Sequence, residues 1–266
     1  MNATASISAA FLAARREARA LSAFPGEVPP TLDTAYAVQA RSIRDWGEPV
    51  VGFKVGGVAP AFRDRYPSAW LAGPVFESAL LRADVLEPTE IAVFEGGFAA
   101  YEPELVLRLS DLRAERPHLD TVEEALPFVS AVHLGAEIAS SPLATLNALG
   151  PGSIISDFGN QAAVVVGPAI ELSWLDRLAD VQVTTIVDGA EVGRSHVKPD
   201  DAGPLGALRF LLNHLRDSGF EANGAWLSSG AITGVHEAKL GSSCTIVYED
   251  LGVLKLRMRA KEPATA

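Results

Sequence analysis

The run YEPELVLRLS, residues 101–110, decides how the chain is read. Its second half, ELVLRL (104–109), is a short apolar stretch with strand character, and Glu102-Pro103-Glu104 opens it. Successive side chains on a strand point to opposite faces, so Glu102 and Glu104 share one face. Two carboxylates side by side repel each other, and a hard divalent cation offsets that repulsion while taking oxygen ligands. Taken alone, the pair also fits a strand edge in water.

A third acid changes that balance. Glu137 lies inside HLGAEIAS (133–140), an apolar strand-like run where an unpaired buried carboxylate is costly and a metal would relieve the cost. Arg108 or Lys54 as an ion-pair partner is the competing explanation. From Pro49 onward the same texture recurs in VVGFKV (50–55), SAVHLGAEIA (130–139), AAVVVG (162–167), DVQVTTIVDG (180–189), CTIVYE (244–249) and GVLKLRMR (252–259). Short apolar runs punctuated by Gly and Pro predict a β-rich body. TIVDGAEVG reads as a hairpin turning at Asp188-Gly189.

Helices flank and interrupt that body. Ile7, Phe11, Leu12 and Leu21 predict one helix, and Thr31 or Asp33 is positioned to cap a second through Ala35, Val38 and Ile43 to Trp46. FPGEVPP (24–30) links them. Leu208, Leu211, Leu212 and Leu215 mark one face of a helix over 205–216, with Gly219 as its stop. The expected class is α+β, with an N-terminal helical region at 1–48 and a mixed, mostly antiparallel catalytic domain at 49–266.

Composition narrows the partners. A net charge of −11 and a pI near 4.9 disfavour nucleic acid and anionic membranes, both of which need a basic face. No stretch reaches the roughly 20 apolar residues of a membrane span. The amphipathic ISAAFLAARREARAL (7–21) lacks a signal peptide's apolar core. The single cysteine, Cys244, reads as a small hydrophobe and suits a reducing cytoplasm. A small molecule or another protein is the expected partner.

Lys54, among glycines in VVGFKVGG, is either a strand-end lysine snorkelling to water or a desolvated proton-transfer and anion-holding group. Ser228-Ser229-Gly230 places hydroxyls and backbone amides at a strand end, suited to an oxyanion. The nucleophile-elbow pattern is absent there. His133 reads as a hydrogen-bonded core residue, and Asp157 and Asn160 as a turn before a buried strand.

In order, GFKVG, GPVFES, YEPELVLRLS, HLGAEIAS, ISDFGNQAAVVVG and WLSSGAITG resemble the 2-keto-4-pentenoate hydratase and 2-oxo-3-hexenedioate decarboxylase family, related to the fumarylacetoacetate hydrolase fold. The resemblance spans roughly 49–258. It implies a fumarylacetoacetate-hydrolase-like rolled, barrel-like sheet and a Mg²⁺ or Mn²⁺ ion on Glu102, Glu104 and Glu137. It further implies a catalytic Lys54 and substrate contacts from Asp157, Asn160, Ser229 and Gly230. In such enzymes the metal chelates the substrate's carboxylate and 2-oxo oxygens and stabilises an enolate.

The implied activity is that of a lyase in the cytoplasm, of the kind used in aromatic catabolism, assembling as a homo-oligomer. Hydration of a 2-hydroxy-2,4-dienoate to a 4-hydroxy-2-oxo acid ranks first. Decarboxylation of a 2-oxo-3-enedioate is the alternative, favoured if Arg63 or Arg65 supplies a further pocket cation. An acylpyruvate-type carbon–carbon hydrolase and a non-catalytic scaffold follow. Three departures from the family pattern stand out. Gly56-Gly57-Val58-Ala59 lacks the family's hydroxyls, Ser78 (beside Glu77) replaces an Asp, and Pro142 replaces an Arg.

Overall fold

The computed structural model describes residues 3–84, 86–110, 117–218 and 224–264. Two helices come first, α1 (Ala3–Arg16) and α2 (Leu32–Trp46). Helix α1 is shorter than expected: Ala18 turns into the left-handed region at φ 52°, and Leu21 instead forms a bridge to Leu143. Thr31 caps α2, its hydroxyl accepting from the Thr34 amide while the Thr34 hydroxyl accepts from the Thr31 amide. Gly47, at φ 83°, closes the other end.

The chain then runs through β1 (Val50–Gly57), β2 (Trp70–Phe76), β3 (Leu80–Arg82), β4 (Thr89–Val93), β5 (Phe98–Leu109) and β6 (Val129–Ser141). Two short helices, α3 (Leu146–Leu149) and α4 (Pro151–Ser156), precede β7 (Gln161–Ile170). After β8 (Gln182–Val187) and β9 (Ala190–His196) come α5 (Pro204–Ser218), β10 (Trp226–Ser228), β11 (His236–Glu237), β12 (Ser243–Tyr248) and β13 (Gly252–Ala260). The hairpin between β8 and β9 turns at Asp188 and Gly189, at φ 49° and 84°. Gly219, the expected stop of α5, lies outside the described residues.

Eight strands form one sheet in the order β2-β1-β10-β5-β6-β7-β3, with β11 also on β5. Five form the other, β4-β13-β12-β8-β9. The larger sheet curls. Val75 on β2 packs in one cluster with Val106, Trp226 and, on β7, Val164 and Val166, although β1, β10, β5 and β6 lie between those outer strands. Only residues 77–79 join β2 to β3 at the opposite edge.

The inward face is in register from Gly52 and Lys54 on β1, through Trp226 and Ser228 on β10 and Arg108 to Glu102 on β5, to Glu137 on β6. Glycines make room inside. A Cβ at Gly52 would lie 2.4 Å from the Trp226 carbonyl oxygen, and one at Gly135 would lie 2.4 Å from Val106 Cγ2. The outward face carries Phe53, Leu105, Leu107, Leu134 and Ile138. These share a core with Leu208, Leu211 and Leu215 of α5 and with Ile246, Leu254 and Leu256 of the second sheet. Cys244 is buried there, and burial pushes its thiol up to about 12. Tyr248 locks the two sheets together, its hydroxyl hydrogen-bonding with the carbonyls of Glu104 and Gly135.

Among the described residues, no helix is long and apolar enough to cross a membrane.

Candidate metal centre and active site

Strand β5 begins at Phe98, not at Glu102, so the two acids sit mid-strand and inside the curl. Glu102 and Glu137 face each other across the β5–β6 ladder, and Glu104 faces Gly135. All three are buried: Glu104 and Glu137 at 0% exposure, Glu102 at 5%. One carboxylate oxygen from each lies within 4.8 Å of the others, and among the described residues no other His, Cys, Asp or Glu group is so arranged.

The donors fit a hard divalent cation. Opposite ligands of an octahedral Mg²⁺ stand about 4.2 Å apart, close to the spread of this triad. Glu104 Oε1 and Glu137 Oε1 are buried without a hydrogen-bond partner, a state that a bound cation would relieve. Among the described residues, Lys54 is the one ammonium in ion-pair contact with the triad, its Nζ 3.1 Å from Glu137 Oε2. If all three acids are ionised, two negative charges remain, which is the charge of one divalent ion.

Electrostatics agree with that count. Burial first, then the neighbouring Glu102 carboxylate, push Glu104 up to about 8. Burial raises Glu102 as well, and raises Glu137 well above the usual carboxylate range. Burial opposes the charge on Lys54, but Glu137, Glu102 and Glu104 more than offset it, so its pKa stands above the usual lysine value. Burial thus favours the protonated form of each of the three carboxyls, and a bound cation would favour the ionised form instead.

Neighbouring groups complete the arrangement. Lys54 Nζ donates to Asn160 Oδ1 at 3.1 Å, and Asn160 Nδ2 donates to Asn147 Oδ1 at 3.3 Å. Ser228 Oγ donates to Glu104 Oε2 at 2.5 Å, so the serine nearest the acids is one before the expected Ser229. The Ser229 hydroxyl instead donates to the Leu105 carbonyl, and Ser229 lines the cleft beside Gly230. The Gly230 amide stabilises the Glu104 carboxylate. Asp157 lines neither cavity described below; its carboxylate bonds Arg15 of α1.

A cleft of about 550 Å³ is lined by Glu102, Gly56, Gly57, Trp70, Ser229, Gly230, Arg63 and Lys198. A second cavity of about 180 Å³ shares Gly56, Gly57, Glu102 and Val235 with it and reaches Lys54 and Asn160. The hydroxyl-free Gly56-Gly57 stretch therefore forms cavity wall, whereas Glu77, Ser78 and Pro142 line neither space. The exposed Ser78 donates to the half-buried Glu48 carboxylate. Arg65 packs over the Tyr66 ring, and Arg108, offered as a partner for Glu137, packs over Trp226. His133 is a hydrogen-bonded packing residue, with Nδ1 2.9 Å from the Gly167 carbonyl and its ring against Trp226.

Sequence reasoning missed Arg15, Asn147 and the role of Ser228. Arg15 carried a signal: Ile7, Phe11 and Arg15 share four-residue spacing, which places a cation on the helix's apolar stripe.

No family model matches the sequence, and no curated protein does. Solved structures match the fold. The 4-oxalocrotonate decarboxylase of Pseudomonas putida G7, complexed with magnesium and adipate, superposes with a TM-score of 0.78 over 96% of this chain and 97% of that one, at 18% identity. This chain therefore shares the fold of that decarboxylase. A fumarylpyruvate hydrolase from Pseudomonas aeruginosa, in complex with Mn²⁺ and pyruvate, has a TM-score of 0.56 over 80% of this chain and 91% of that one, at 17% identity. A 5-carboxymethyl-2-hydroxymuconate delta-isomerase from Mycobacterium smegmatis has a TM-score of 0.53 over 80% and 81%, at 19% identity. Proteins named decarboxylase, hydrolase and isomerase thus share this fold, and the buried glutamate triad is suited to the Mg²⁺ or Mn²⁺ bound in two of these structures.

Proposed function

We propose that the chain is a divalent-metal-dependent lyase that decarboxylates a 2-oxo-3-enedioate. Arg63 carries the choice among reactions. Its Nε donates to the Val58 carbonyl at 3.0 Å, which fixes the guanidinium at the wall of the cleft that Glu102 also lines. Lys198 adds a second cation to the same wall. A substrate with a carboxylate at each end satisfies both the triad's cation and these groups. A dienoate with one carboxylate leaves the far cations unmatched, so decarboxylation ranks above the hydration expected from sequence.

Glu102, Glu104 and Glu137 would hold Mg²⁺ or Mn²⁺. When bound, the ion supplies Lewis-acid polarisation of the substrate's 2-oxo group. Loss of CO₂ breaks the carbon–carbon bond to the distal carboxylate, and the released electron pair delocalises through the conjugated chain onto the 2-oxo oxygen. Lys54, held in its ammonium form by the glutamates and oriented by Asn160 Oδ1, offers a positive charge and a proton to that system. Asn160 and Ser229-Gly230 are assigned to hold the substrate. Asp157 acts on it only through the turn that carries Asn160.

Side-by-side assays with Mn²⁺ test the reading. The expected result is CO₂ release from 2-oxo-3-hexenedioate, with little loss of ultraviolet absorbance from 2-hydroxypenta-2,4-dienoate. Arg63→Ala should raise KM for the dicarboxylate about tenfold, the scale of one charged hydrogen bond. Rapid hydration of the pentadienoate without CO₂ release from the dicarboxylate would overturn the assignment and restore the hydratase.

A further inference from the structure

Arg15 is 7% exposed and belongs to a helix that carries none of the glutamates, the lysine or the asparagine. Its guanidinium is nevertheless engaged with both ends of the turn that carries Asn160. Nε donates to Asp157 Oδ1 at 2.5 Å, Nη1 to the Gln161 carbonyl at 3.1 Å, and Nη2 to the Asp157 carbonyl at 3.1 Å and the Ser140 carbonyl at 3.4 Å. The plane sits over the rings of Phe94 and Phe158, 5.6 and 5.3 Å from their centroids.

Asp157 and Gln161 bracket a turn that ordinary residues avoid. Phe158, Gly159 and Asn160 all have left-handed backbone, at φ 57°, 70° and 58°. Two of the three carry a Cβ, so the conformation is strained and persists only where its surroundings impose it. The turn's product is the placement of Asn160 Oδ1 on Lys54 Nζ, with Gly159 lying against the lysine's stem and against Gly73 of β2.

We propose that Arg15 is a positioning residue: by clamping the carbonyls at both ends of the turn, helix α1 holds Asn160, and through it Lys54, in place for reaction. Arginine is required because a planar fork can reach several carbonyls and a carboxylate at once, whereas an ammonium is a single point of contact. The proposal rests on the reading of Lys54 and Asn160 as groups at the reacting end of the cavity.

The test compares Arg15→Ala and Arg15→Lys with the wild-type chain, each loaded with Mn²⁺. Amides of residues 158–161 should exchange hydrogen at least about tenfold faster in both variants, while those of β5 and β6 keep wild-type protection. Turnover per metal-loaded chain should fall about 10–100-fold, with Mn²⁺ affinity unchanged, because a displaced group far from the chemistry acts on kcat. Guanidinium ion added at sub-denaturing concentration should return part of that turnover to Arg15→Ala and none to Arg15→Lys. Wild-type exchange at 158–161, exchange raised evenly through the chain, or wild-type kcat in both variants would overturn the proposal. Should Arg15→Ala fail to fold, Arg15→Lys alone decides by the same readings. A wild-type enzyme inactive on every 2-oxo acid faults the functional reading instead, and hydrogen exchange still decides this one.

Discussion

The inside of the curled sheet has two differently finished regions. Around Glu102, Glu104 and Glu137, carboxylates are buried with oxygens left unpaired, and a cleft leads to them past Glu102. Around Trp226, the indole lies between Arg82 and Arg108, 4.8 and 4.7 Å from its centroid, with the His133 ring against its edge. Each region holds cations, but Lys54 is buried with the triad, whereas Arg82 is exposed and Arg108 is half-buried. Only the first leaves polar groups that want a further partner. Buried charge and incomplete satisfaction together separate the reacting end from the packed one.

The sharpest way to break that contrast is to remove one of the unpaired groups. Glu104→Gln should weaken Mn²⁺ binding roughly a thousandfold, about 4 kcal/mol, in calorimetric titration. Equal affinity for wild type and variant would mean that the ion is held elsewhere. Lys54→Met probes the same end without touching the ligands: kcat should fall about 10²–10⁴-fold while Mn²⁺ binds no more weakly. Near-normal turnover would return Lys54 to a purely structural pairing with Glu137.

A third measurement reads the triad through stability. The raised Glu104 holds its proton more tightly in the folded chain than in the unfolded one, where its value is near 4.5. Its favourable contribution is therefore complete below about pH 4.5 and is lost as pH rises towards about 8. Urea unfolding of metal-free protein should show a loss on the order of a few kcal/mol over that window, and saturating Mn²⁺ should abolish the slope. Stability that rises with pH in the metal-free chain would contradict the buried, cation-seeking triad. At the other end of the curl, Arg108→Ala should cost about 1 kcal/mol, the scale of one cation–π contact, and leave kcat unchanged. A drop in kcat would erase the distinction between the two regions.

Much of the reacting end was legible because its chemistry violates its surroundings. Acids at two-residue spacing beside ELVLRL, and Glu137 inside an apolar run, stand out without any coordinates. The start of β5 was not legible, because FAAY, the four residues from Phe98, has no alternation and extends the strand by pairing with Ser141 to Ile138 of β6 and, at Ala100 and Tyr101, with β11. Leu21 matched helical spacing, yet Ala18 had already left the helix; the bridge of Leu21 to Leu143 is a long-range contact that no local pattern encodes. Ser228 and Ser229 are adjacent in sequence and opposite in direction. Strand phase alone assigns one to Glu104 and the other to the Leu105 carbonyl, and a three-residue strand shows no period to read. Arg15 and Asp157 are 142 residues apart, more than half the chain, so no local pattern pairs them.

The placement of β10 has a consequence for how the protein is made. Residues 226–228 insert between β1 and β5, parallel to one and antiparallel to the other. Until they arrive, Lys54 and Glu104 belong to strands with no neighbour between them, although both were synthesised long before. At ribosomal speeds of about 5–20 residues per second, that interval lasts on the order of ten seconds or more. A nascent chain therefore carries unpaired edges on β1 and β5 through nearly half of its synthesis. Closure then depends on contacts of very high sequence separation, which form slowly.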